Sequence, residues 1–327
     1  MEQDGDEGFA ARPASSFAGG PCGGETLTTT VSRDKYFYAF SADLAPVARV
    51  NRGEEIVLET HDCFQGQIIS ESDLVTTLDW NRTNPATGPV WIEGALPETV
   101  LRLTILDVQV EDHSVMVAIP GAGVLGDQIN VPETTILRHD GDELVFKNRV
   151  RIRQAPMIGV IGLAPAHGSI SNGVPGTHGG NMDCTLIGKG SRLYLTVQVE
   201  GGLLGLGDLH ACMGDGEIVA VGAEVAGSVR LRPDIVPLQG LPTPFLENNE
   251  VVATICSDPD LDLAADGAIR NMSQFLMEFA RLSLNDASML MSAAGSLRIC
   301  QVVDPAKTVR FEFPKQVLGQ IGYQMPA

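Results

Sequence analysis

Three short stretches of this sequence set acids and histidines beside glycine: ETHDCFQGQI at residues 59–68, HGGNMD at 178–183 and GDLHACMGDGE at 207–217. A carboxylate and an imidazole two residues apart on an extended chain project to one side. That pair is a common half-site for Zn²⁺ or a related divalent ion. Asp208 and His210 have this spacing, and Asp215 and Glu217 repeat the interval across Gly216. In the first stretch, alternation places Glu59 and His61 on one face and Thr60 and Asp62 on the other. His61 and Asp62 therefore serve one site only if the strand ends there. Taken singly, the Gly-Asp steps also read as turns, and His178 as a loop residue. Taken together, the stretches gather negative charge that costs stability unless a cation neutralises it, which points to a metal site.

Other chemistries find less support. The chain has no G-x-S-x-G elbow and no Walker A motif. GAGVLG, from Gly121 to Gly126, matches a dinucleotide fingerprint, but the DQINVPETT that follows lacks a helical period, so the segment reads as a turn. Cys63, Cys184 and Cys212 each lie within two residues of an acid or an imidazole. Neighbouring carboxylates raise a thiol pKa and blunt it as a nucleophile. None of the six cysteines forms a C-x-x-C pair, so they read as free thiols.

The elements that would position these groups are mainly β. Apolar or alternating runs such as EIVLET, PVWIEGA, TVLRLTILDVQV, MIGVIGLAP and RLYLTVQVEGG lie between Gly, Pro and Asn-Pro breaks. DGDELVFKNRVRIR reads as a hairpin or bent strand. From Asp260 to Ala294 the apolar spacing turns helical: one helix ends near Leu282 and a second is capped by Ser283 or Asn285 and stopped by Gly295. SLRICQVVD and TVRFEFP return to strand. The expected fold is mainly β with an α+β C-terminal part: a β-sandwich or barrel-like core plus a helical pair packed on a sheet. The expected divisions are a flexible N-terminal arm at 1–25, a β-sandwich-like part at 26–155 and a β-rich catalytic part at 156–327, the last two forming one compact unit. Trp80, Trp91 and Phe64 read as sandwich core.

Composition narrows the partners. The formal net charge is −19, which argues against nucleic acid and anionic membranes, since binding phosphates takes clustered Lys and Arg. No run approaches the length of a membrane span, and the acidic MEQDGDEG start is unlike a secretory signal, so a cytoplasmic protein is expected. Glycine numbers 36, and 15 of these fall between Arg151 and Ala220. That concentration suggests backbone drawn close to a metal and a very small ligand.

Together the segments resemble the acetamidase/formamidase family. The matching stretches are VNRGEEIVLETHDCFQGQI, NPATGPVWIEGA, PMIGVIGLAPA, VPGTHGGNMDCTLIGKGSRLYLTVQVEGGLLGLGDLHACMGDGE and ASMLMSAAGSLRICQVVD, in family order. Met213 stands where the family pattern has Gln, and Tyr36 and Phe37 lie near a usual Trp. The resemblance implies hydrolysis of a small neutral aliphatic amide to carboxylate and ammonia, a divalent metal and a homo-oligomer, a dimer or larger. On that basis Asp62, Asp183, Asp208 and His210 are the expected metal ligands, with Zn expected and Ca as the alternative. Glu217 is the expected general base and then acid, the backbone amides of Gly179 and Gly180 with the Asn181 side chain the expected oxyanion site, and His178 the group that orients substrate or moves a proton. The competing readings are a non-catalytic β protein with structural Ca²⁺, and an amidohydrolase acting on a larger amide or a carbamoyl compound.

Overall fold

The apolar runs become strands of two large sheets. The computed structural model describes residues 28–326, so the arm expected at 1–25 lies outside the described residues. In the nine-stranded sheet, Ile56–Thr60 pairs with Gly227–Val236, which pairs with Val100–Val110. Arg192–Thr196, Phe245–Glu247, Val251–Asp258, Lys307–Pro314 and Ser296–Gln301 follow in that order. The eleven-stranded sheet is centred on Leu204–His210, buried along its whole length. Strands from before and after residue 155 interleave in both sheets.

Inward-facing side chains of the two sheets share a single core. Ile56, Leu58 and Leu103 come from the first sheet, and Ile158, Ile161 and Leu206 from the second; all six are fully buried. Each contributes about 1.5–3 kcal/mol relative to exposure. This shared core makes the central strand a rigid floor for whatever its C-terminal end carries.

That strand changes partner partway along. Met157–Gly162 runs beside it on one side. On the other side, Leu204 to Gly207 pair with Ala86–Glu93, while Leu209 and His210 pair with Val225 and Glu224. Asp208 sits at the changeover with φ +55, and the register with Met157–Gly162 omits both Asp208 and Gly159. A local loss of pleat of this kind is where a sheet re-aims a side chain.

The helical pair forms as expected. Helix α1 (Leu261–Glu278) is capped by Asp260, whose carboxylate accepts from Asp262 N and Leu263 N, and buries Ala264, Ala268, Met272, Phe275 and Leu276. Helix α2 (Leu284–Ala294) is capped by Ser283 and stops at Gly295. Both pack against the Lys307–Pro314 strand of the nine-stranded sheet. Glu143–Phe146 and Val150–Arg153 form the expected hairpin, and residues 121–126 form turns. A third helix, α3 (Lys315–Gln320), follows Pro314 without a side-chain cap, and six residues are too few to show a period. Among the described residues, no helix is long and apolar enough to cross a membrane.

Candidate active site

Five carboxylates converge on one imidazole at the end of the central strand. His210, on Leu204–His210, places Nε2 3.1 Å from Glu224 Oε1 and 3.6 Å from Asp208 Oδ1. Glu224 faces it because the two residues are register partners across the sheet. Asp183 leaves the end of the Gly179–Asn181 strand with φ +43. Glu217 sits in the turn after Gly214 with φ +49. Gly216 N donates to Cys300 O and Val302 N to Gly216 O, so this turn is tied to the Ser296–Gln301 strand. Beyond that strand, the Gln301 carboxamide oxygen accepts from Val303 N and Asp304 N, at 2.9 and 3.0 Å, and presents Asp304 to the cluster.

Crowding here demands glycine. A Cβ on Gly159 would lie 2.6 Å from both Asp183 Oδ1 and Asp208 Oδ2, and one on Gly222 would lie 2.5 Å from His210 Cγ. These glycines make room for the site's own side chains.

Burial sets the electrostatics. His210 and Asp183 are fully buried, and Asp208, Glu217 and Glu224 are nearly so. Both oxygens of Asp183, Glu224 Oε2 and Nδ1 of His210 are buried without a hydrogen-bond partner. Among the described residues, the only ion-pair partner of these carboxylates is His210. Burial, reinforced by Glu217, Asp304 and Asp208, holds the Asp183 carboxyl well above its ordinary range. Burial also lifts Glu217 to about 8 and Glu224 to about 7, and Asp304 to about 7. His210 shows the reverse balance: burial works against its charge, but Glu224 and Asp208 outweigh it and raise its pKa well above 6.5.

The donors group into two sets. Asp183, His210 and Glu217 have ligand atoms within 4.8 Å of one another, and so do Cys63, Asp208 and Glu224. Unpartnered buried oxygens and nitrogens in that arrangement fit a divalent cation. The cluster opens on a cavity of about 230 Å³ lined by Phe64, Trp80, Ile119, Asn181, Asp304 and Val221, among others. Trp80 is 58% exposed at this cavity, which corrects its expected place in the core; Phe64 is buried.

Not every expected residue is brought here. Asp62 turns away: its carboxylate accepts from Phe64 N at 2.8 Å and Gly66 N at 3.1 Å, holding the turn that follows the strand ending at Thr60. Cys63 takes the inward place. Asp215 diverges from Glu217 and pairs with Arg310 at 2.7 Å, because Gly216 and Glu217 both have positive φ and break the two-residue alternation. His178 is buried, contacts Phe40 edge-on at 5.3 Å between centroids and is outside the cavity lining; burial lowers its pKa to about 4. Gly179 N donates to Gly176 O, so that amide is occupied within the protein, whereas Asn181 Nδ2 gives one of its two N–H groups to Asp304 Oδ2 at 2.9 Å and lines the cavity. Cys63 is far from a reactive thiol: burial, with Glu224 and Asp208 beside it, raises its pKa well above 9.

Glu224, Asp304 and Cys63 were absent from the expected set. The first two have no sequence signal, since VGAEVAG reads as an ordinary strand and VVDPA as an ordinary turn. Cys63 could have been found by ending the strand at Thr60.

The chain is similar to several known proteins. A family model described as the acetamidase/formamidase family matches residues 28–172 and 169–320. An acetamidase structure from Bacillus halodurans is 42% identical with a TM-score of 0.88, covering 90% of this chain and all of that one. A structure described as a predicted acetamidase/formamidase from Thermoanaerobacter tengcongensis is 41% identical with a TM-score of 0.88, covering 91% of this chain and 99% of that one. A formamidase from Methylophilus methylotrophus is 28% identical over 275 residues, which span 65% of this chain and 68% of that protein.

Proposed function

The chain belongs to the acetamidase/formamidase family, and we propose that it hydrolyses a small aliphatic amide, of formamide or acetamide type, at the acid cluster around His210. Membership makes it an amidohydrolase; the choice of amide and the use of a metal are our reading. The observation that carries it is the knot of buried, unpartnered carboxylate oxygens opening on a small cavity. The buried repulsion in such a knot has a natural remedy in a cation.

Asp183, His210 and Glu217 are the residues that would hold a divalent ion. The imidazole nitrogen favours Zn²⁺ over Ca²⁺, which prefers all-oxygen ligands. Such an ion, when bound, supplies Lewis acidity toward the amide carbonyl and acidifies a water.

The chain's own groups do the rest. With Glu217 in the donor set, proton carriage falls to Asp304, which lines the cavity and is oriented through one oxygen by Asn181. It takes a proton from the attacking water and returns it to the departing nitrogen, so that carboxylic acid and ammonia form and the acid's proton passes to the ammonia, leaving carboxylate and ammonium. Phe64, Ile119 and Val221 present an apolar wall suited to a short alkyl group or a hydrogen.

The test compares formamide, acetamide, propionamide and urea as substrates before chelation, after it and after metal add-back. We expect turnover of the small aliphatic amides that disappears on chelation and returns with Zn²⁺. Activity that survives exhaustive chelation but is lost to a thiol reagent would instead assign the chemistry to a cysteine.

A further inference from the structure

A second cavity, of about 480 Å³, adjoins the turn that carries Glu217. Glu217 and Val221 line both this cavity and the catalytic one, so the turn is a shared wall. The volume falls within the range of about 300–1,000 Å³ usual for small-molecule sites. Met116, Leu137, Met213 and Val219 give it an apolar lining, and Ile152 and Ile218 stand 37% and 46% exposed on it. Both acids of the lining are engaged elsewhere. Asp215 pairs with Arg310 at 2.7 Å and accepts from Thr185 at 2.8 Å, while a carboxylate oxygen of Glu217 groups with Asp183 and His210. Arg153, on the same lining, has no ion-pair partner among the described residues, whereas Arg151 is held by Asp140 and Glu143.

An apolar cavity with one uncommitted cation is complementary to an alkyl chain that ends in a single negative charge. A second copy of the chain is a poorer match. Val150–Arg153 ends the eleven-stranded sheet, and two arginines among its four exposed residues blunt that edge against pairing. We propose that the second cavity binds a medium-chain monocarboxylate, its head group on the Arg153 guanidinium and its alkyl chain along Met116, Met213 and Val219.

Purified full-length protein is titrated calorimetrically with octanoate, and with octylamine as a probe of similar chain and opposite charge. One saturable octanoate site per chain is expected, and none for octylamine. Arg153→Gln, at an exposed position, should raise the Kd about tenfold or more, the worth of one charge-assisted hydrogen bond. Ile152→Glu, also exposed, sets a like charge beside the head group and should weaken binding at least as much. Trp80→Ala, in the catalytic cavity, should leave the Kd unchanged. Absence of saturable octanoate binding overturns the site, as does binding that both strand variants leave intact or that Trp80→Ala abolishes. Equal binding of octylamine overturns the assignment of the head group to Arg153. Neither turnover nor a metal enters the readout, so the outcome is independent of the amide reading.

Discussion

Two buried carboxylate sites in this molecule have opposite fates. Glu247, 1% exposed, accepts from Tyr194 Oη at 2.5 Å, Arg192 Nη1 at 3.1 Å and Lys315 Nζ at 2.8 Å. Burial alone would raise its pKa, but Lys315, Tyr194 and Arg192 together bring it below the ordinary value. Glu217 is buried to a similar degree and goes the other way, to about 8. Burial is common to both, so it is the partners that separate them. A carboxylate ringed by Lys, Arg and Tyr donors holds structure together, while a group of carboxylates that shares one imidazole as its ion-pair partner is suited to binding a ligand.

The contrast can be tested first at its functional end. Asp304→Asn should lower kcat by about 10²- to 10⁴-fold, the usual contribution of a positioned proton carrier, while the melting temperature of the cation-free protein stays level or rises. A large loss of melting temperature with unchanged kcat would make Asp304 a structural residue like Glu247.

At the structural end, Glu247→Gln should cost about 1–3 kcal/mol of stability by urea denaturation, since it weakens three hydrogen bonds at once. The figure is kept low because Arg192 and Lys315 are about a third exposed and can turn to water. Turnover per folded molecule should not change. If it falls, the two regions are coupled and the distinction drawn between them is wrong.

The contrast also extends to pH dependence. Glu217 has a folded pKa of about 8 against an ordinary 4.5, so below about 4.5 both folded and unfolded forms hold the proton. As pH rises toward 8 the unfolded chain gives it up first, and the stability linked to that proton is lost. Glu224 and Asp304 act in the same direction up to about 7. Glu247 acts oppositely, with stability present above 4.5 and lost as pH falls. Chelated protein should therefore melt at progressively lower temperature from pH 5 to 8, and added Zn²⁺ should flatten that slope. A slope unaffected by the metal would mean that the cluster is not where it binds.

Local rules read much of this molecule from its sequence. The helical period and the caps at Ser283 and Gly295 were visible because they depend on neighbours a few residues away. Asp208 and His210 were visible as a pair because they share one strand. Glu224 escaped because only the pairing of two strands sets it opposite His210, and Asp304 because a buried Gln301 side chain aims its turn. Asp62 folds onto its own turn and Cys63 faces the cluster because alternation stops at Thr60, where the strand does.

Asp183, Asp208 and Glu217 all hold their carboxylates on left-handed backbone, with φ between +43 and +55. For a residue with a side chain that conformation costs on the order of 1 kcal/mol, and glycine would adopt it freely. A lineage released from selection for hydrolysis gains by exchanging these acids for glycine, relieving strain and repulsion in one step. Descendants that keep both sheets but carry glycine at these three positions would mark where the fold has outlived its chemistry.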